Sequence, residues 1–164
     1  MELNELEAEW ARLTFRHFDE ADALSLGLAL VEAARRDGLP VAIDIRTPDR
    51  TLFHAVMPGA KPLNAAWARR KSNVALMFQE PSFLVGTRHR ARGEDIARHG
   101  LGPDYSDSGG SVPVRVAGVG VVAAVTVSGL PQAEDHALVV RGIEAAIAAQ
   151  AQAPARTRAQ PAPA

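Results

Sequence analysis

Residues 109–136 read GGSVPVRVAGVGVVAAVTVSGLPQAEDH, and this stretch decides the fold. Val112 to Val116 and Val119 to Val127 are rich in β-branched residues and are parted by Ala117-Gly118, which predicts a hairpin. Ser128-Gly129-Leu130 then forms a loop. Pro131 suits the first residue of a helix, because it has no N–H to lose there. Glu134 and Asp135 fall in that helix's favourable first turn. Val139, Val140, Ile143 and Ile147 give it a buried stripe. A tight hairpin followed by a helix builds antiparallel sheet, whereas parallel sheet needs a long crossover between strands.

Upstream, Val41 to Thr47 and Thr51 to Met57 are strand-like around a Pro48-Asp49-Arg50 turn, giving a second hairpin. Leu13 to Phe18 alternates and reads as one more strand. The expectation is an α/β protein of the α+β kind, a mainly antiparallel sheet of about five strands flanked by helices. The helices are Glu2 to Leu13, Ala21 to Arg36 with Asp19 as N-cap and Gly38 as C-cap, and Asn64 to Gln79. Ser82 to Arg98 reads as helical pieces parted near Gly93. Gly100 to Gly110 reads as a loop. The Ala21 to Arg36 helix is apolar on almost every side, which predicts cover on more than one face and a homo-oligomer.

With 164 residues the chain has the length of one domain. Residues 1–150 are expected to form it. Residues 151–164 carry no large apolar side chain and are expected to be a disordered tail. Eighteen basic residues against 19 acidic ones leave no strong field for nucleic acid or an anionic membrane. The absence of cysteine excludes disulfides, thiolate metal sites and cysteine nucleophiles. The acidic N-terminus and the shortness of the longest apolar run argue against a leader or a membrane span, so a cytoplasmic location is expected.

Three places offer binding chemistry. Gly109-Gly110 and the helix start near Asp135-His136 offer free backbone N–H groups to an anion. The bland alternative is that the glycines only serve turns. In the helix 64–79, Arg70 and Lys71 supply cations, and Trp67 lies four residues before Lys71 on the same face. That patch equally suits a solvated face. His136 sits on the buried stripe, as an iron ligand, as an acid/base group, or as an interior histidine bonded to backbone. His54 reads as a structural strand residue, and His89 and His99 as surface residues. No histidine pair has metal-site spacing, so no metal site is expected. There is no Gly-x-Ser-x-Gly elbow and no phosphate-binding loop.

The ordered set Gly109-Gly110-Ser111 with Pro113-Val114, then Val127-Ser128-Gly129-Leu130-Pro131, then Asp135-His136, resembles the heme-degrading-domain proteins, an uncharacterised family akin to the GlcG-like and HbpS-like heme-binding proteins. Trp67 to Lys71 with Val74, and Phe83 to Gly86 after Pro81-Ser82, are similar to other parts of that family. The resemblance covers about residues 14–147. It implies a profilin-like fold, higher oligomers, and heme binding or heme degradation. In many relatives a His before Gly-Gly is expected, whereas this chain has Ser108.

Three functions follow as expectations. The first is a heme-binding or heme-degrading protein using Trp67, Arg70, Lys71, Gly109, Gly110, Asp135 and His136. The second is an oligomeric ligand-binding or protein-interaction module without catalysis. The third is a small-molecule enzyme with Lys71 as base beside Asp135.

Overall fold

The computed structural model describes residues 1–152. Along the chain run α1 (Leu3–Arg12), α2 (Glu20–Arg36), β1 (Ala42–Arg46), β2 (Thr51–Val56), α3 (Pro62–Phe78), α4 (Ser82–Ala91), a 3-10 turn (Ile96–His99), β3 (Ser111–Val116), β4 (Gly120–Ser128) and α5 (Gln132–Gln152). The tail expected from residue 151 begins inside α5, and its remainder lies outside the described residues. No described helix is long and apolar enough to cross a membrane.

The strands form one antiparallel sheet in the order β2-β1-β4-β3. Both hairpins stand where turn residues place them, and the central β1–β4 pair joins them. The sheet has four strands, not five. Of Leu13 to Phe18, only Phe15 pairs, through a single parallel bridge to Val116. Its N–H donates to the Arg115 carbonyl, and its own carbonyl accepts from Ala117. The chain cannot extend that pairing, because Asp19 already caps α2 by accepting from the Asp22 N–H at 2.9 Å.

Strand alternation sorts the two faces. Ile43, Ile45, Val112, Val114, Val125 and Val127 meet Leu26, Leu30, Val139 and Ile143 in the main core. α2 lies over β1 and β2, α5 over β3 and β4, and the two helices touch each other. They come close at Gly142, where a Cβ would stand 2.8 Å from Leu30. α3 packs on β1, β3 and β4. There the sheet offers small or polar residues such as Ala42, Ala124, Thr126 and Ser111, against Ala68, Ser72 and Ala75 of the helix.

Candidate functional site

Asn64, Trp67 and Lys71 project from α3 at intervals of three and four, so they share one face. The β4–α5 corner brings Ser128, Gly129, Leu130, Gln132 and Asp135 to that face, and the loop before β3 adds Ser108. Together they line an open pocket of about 260 Å³.

Its floor is an ion pair. The Lys71 ammonium donates to Asp135 at 2.7 Å and to the Val127 carbonyl at 3.4 Å. Asp135 also accepts from the Leu130 N–H at 3.0 Å and the Gly129 N–H at 3.4 Å. Burial pushes the Asp135 carboxyl above the usual aspartate range, against the pull of Lys71 and those two N–H groups. Gly110 fits over the pair because it lacks a side chain. A Cβ there would lie 2.9 Å from both the Lys71 Nζ and the Asp135 Cβ, at a φ of +125°.

The structure therefore brings Trp67, Lys71, Gly110 and Asp135 together. Arg70 stacks its guanidinium over the Trp67 ring, 5.3 Å from the centroid. Gly109 stands behind the wall, where its N–H donates to the Gln132 side-chain oxygen at 3.1 Å. His136 is not part of the pocket. It is 1 % exposed, its Nε2 meets Glu9 of α1 at 2.6 Å, and it packs near Phe83. Successive helix residues point about 100° apart, so Asp135 and His136 face different neighbours. Asn64 and Gln132 carried no sequence signal for the site, because their roles depend on the approach of α3 to the β4–α5 corner, and Ser108 and Ser128 stood only in or beside the family-like motifs.

A larger groove of about 1080 Å³ runs between α2 and α5 on the other side of the sheet. Leu26, Leu30, Ala33, Leu138, Ala145 and Ala146 line it, and Arg16, Arg36 and Arg141 also border it. His17 lies there too, with its Nδ1 2.9 Å from the Asp22 carboxylate. A carboxylate only accepts, so Nδ1 carries a hydrogen, and in the neutral ring that leaves Nε2 its lone pair. The Gln150 amide donates to the His17 carbonyl at 2.9 Å and fixes that backbone. His17 takes its carboxylate partner from the next helix, five residues on, and its place at the groove from α5 far along the chain.

The remaining histidines differ in burial. His54 pairs with Asp44 across β1 and β2 at 3.0 Å, a strand-structural role. His99 is exposed, as expected. His89 is only 6 % exposed and is no surface residue. Asp107 holds its Nδ1 at 2.7 Å, and its Nε2 faces that of His99 at 3.1 Å. Helix α4 turns His89 inward beneath the loop that follows. Among the described residues no group of three or more His, Asp or Glu is placed to hold a metal ion.

The family model described as "Haem degrading protein HbpS-like" matches residues 18–144. A UPF0303 protein of Streptomyces coelicolor is 54 % identical over 144 residues, covering 85 % of this chain and 90 % of that protein. Among solved structures, the Ybr137w protein superposes with a TM-score of 0.81 at 30 % identity, covering 90 % of this chain and 88 % of that one. A variant of HbpS from Streptomyces reticuli superposes with a TM-score of 0.66 at 25 % identity, covering 79 % and 86 %.

Proposed function

The chain belongs to the HbpS-like haem degrading protein family, and from that premise we propose that it binds heme in the groove between α2 and α5, with His17 as the iron ligand. The observation that carries this reading is the His17–Asp22 pair at the edge of an apolar groove. A histidine that ligates a metal commonly gives its other ring N–H to a carboxylate, which orients the ring and raises its basicity. The groove's volume is that of a site for a large ligand. Its aliphatic lining suits a macrocycle, and Arg16 and Arg141 match propionates, since guanidinium binds carboxylate in a bidentate fashion, while Arg36 is already paired with Asp37. Bound heme would supply a redox-active iron, whose behaviour the axial ligand and the surrounding polarity set. The pocket beneath Trp67 is too small for this role, and His136 is too enclosed.

Titration of the purified chain with hemin tests the reading. The expected result is a saturable Soret band that His17→Ala abolishes or shifts, that Asp22→Asn shifts, and that His136→Ala leaves in place. An unchanged band in His17→Ala would overturn it.

A second reading, an oligomeric ligand-binding module without catalysis, rests on Leu24 and Leu28. They lie one turn apart on α2, 52 % and 54 % exposed, and outside the groove. That surface serves self-association whether or not heme is bound.

A further inference from the structure

We infer that the pocket beneath Trp67 is a second, separate ligand site, built to receive a small carboxylate. The inference comes from which hydrogen-bonding atoms are already occupied. The Asn64 side-chain oxygen accepts from the Lys61 backbone N–H at 2.7 Å. A backbone N–H only donates, so the bonded atom is the oxygen, and the Asn64 NH2 is the group left over. The same logic holds across the pocket. The Gln132 oxygen accepts from the Gly109 N–H at 3.1 Å, which leaves the Gln132 NH2. Trp67 has an indole N–H and no acceptor. Lys71 has three N–H donors, of which Asp135 and Val127 take two. The pocket's single carboxylate, Asp135, is fully buried, and both its oxygens are engaged by Lys71, Gly129 and Leu130. The Ser108 and Ser128 hydroxyls rotate to suit either role.

The side chains of the lining thus offer more donors than acceptors. A ligand that only accepts hydrogen bonds fits such a lining, while an amide, amine or sugar would find few side-chain acceptors for its own donors. An oxyanion is that ligand. Lys71 and Asp135 cancel each other's charge, so the lining itself is near neutral, and Arg70 adds a positive charge from outside it, stacked over Trp67. A volume of about 260 Å³ lies below the range of drug-sized sites and limits the ligand to a few heavy atoms. The Trp67 ring supplies an apolar surface, which favours a short carbon chain behind the carboxylate over a bare inorganic anion.

Two substitutions reverse this pattern without disturbing the fold. Asn64→Asp and Gln132→Glu each keep the oxygen that accepts from Lys61 or Gly109, and each replaces the spare NH2 donor with an acceptor. The test is two-dimensional NMR of the full chain, following the Trp67 indole and the Asn64 and Gln132 side-chain amides. The probes are propionate, pyruvate, inorganic phosphate and neutral propionamide. The expected result is saturable shifts of those signals with propionate and pyruvate, weaker ones with phosphate, and none with propionamide. Each substitution should weaken propionate by about tenfold or more, because it removes one hydrogen bond to a charged group and adds a like charge. Four outcomes would overturn the inference: no shift with either carboxylate, equal response to propionamide, tighter binding of phosphate, or undiminished affinity in both variants. Hemin affinity should not change in either variant, so this site and the heme groove stand or fall independently.

Discussion

The ammonium of Lys71 lies 2.7 Å from a carboxylate oxygen of Asp135, with the two side chains 5 % and 0 % exposed. They are joined across the gap between the middle of α3 and the first turn of α5. Removing one partner from a buried pair strands the other's charge, at a cost of about 3–5 kcal/mol. Lys71→Met should therefore lower unfolding free energy by about that amount in urea titration. Lys71→Met combined with Asp135→Leu should recover much of it, because no charge is left stranded. A double variant no more stable than Lys71→Met would contradict this account.

The raised carboxyl of Asp135 gives a pH dependence of definite sign. The folded chain holds this proton more tightly than the unfolded chain does. The group's contribution is thus full below the ordinary aspartate value of 3.8 and is lost as pH rises through the folded value. Wild type should lose melting temperature relative to Asp135→Asn as pH rises from about 4 towards neutral. A difference that stays flat or grows with pH would reject it.

Gly110 should tolerate no side chain. Gly110→Ala places a Cβ 2.5 Å from the Val127 carbonyl oxygen, at a φ of +125°. Strain and displacement of the Lys71–Asp135 pair together should cost more than about 2 kcal/mol. Gly118→Ala, at a φ of +73° with open space around it, should cost about 1 kcal/mol. Equal losses at the two positions in thermal melts would show that backbone conformation alone matters.

The apolar residues of α2 divide into two sets with different expected responses. Leu26 is 2 % exposed and belongs to the core, so Leu26→Glu should unfold the domain. Leu24→Glu and Leu28→Glu should leave the circular dichroism spectrum unchanged. If α2 carries the self-association surface, these two should reduce the native mass by light scattering. An unaltered mass would place any interface elsewhere.

Local pattern made much of the fold legible. Asp19, Pro48-Asp49-Arg50 and Ala117-Gly118 fix caps and turns through their own backbone chemistry, so α2 and both hairpins could be read directly. Leu13 to Phe18 misled because alternation marks a chain able to pair, whereas pairing also needs a free partner edge and a length of chain not claimed by a cap. In the site, the residue types of Trp67, Lys71 and Asp135 were visible, yet the ion pair spans 64 positions and no local rule joins its ends. The donor surplus of Asn64 and Gln132 lay further out of reach. It depends on which of two chemically distinct atoms a backbone N–H has already taken.

The single bridge from Phe15 to Val116 has a consequence for how sheets of this kind meet. It occupies part of the outer edge of β3, while β2 at the far side pairs only with β1 among the described residues. The sheet is therefore directional as a template, blunted at one border and open at the other. Two copies meeting edge to edge through β2 would use up both β2 borders and leave the β3 borders, each bridged at Val116, facing outward. Growth through β2 alone therefore ends at a pair, and Phe15 covers the other border only at its Val116 end.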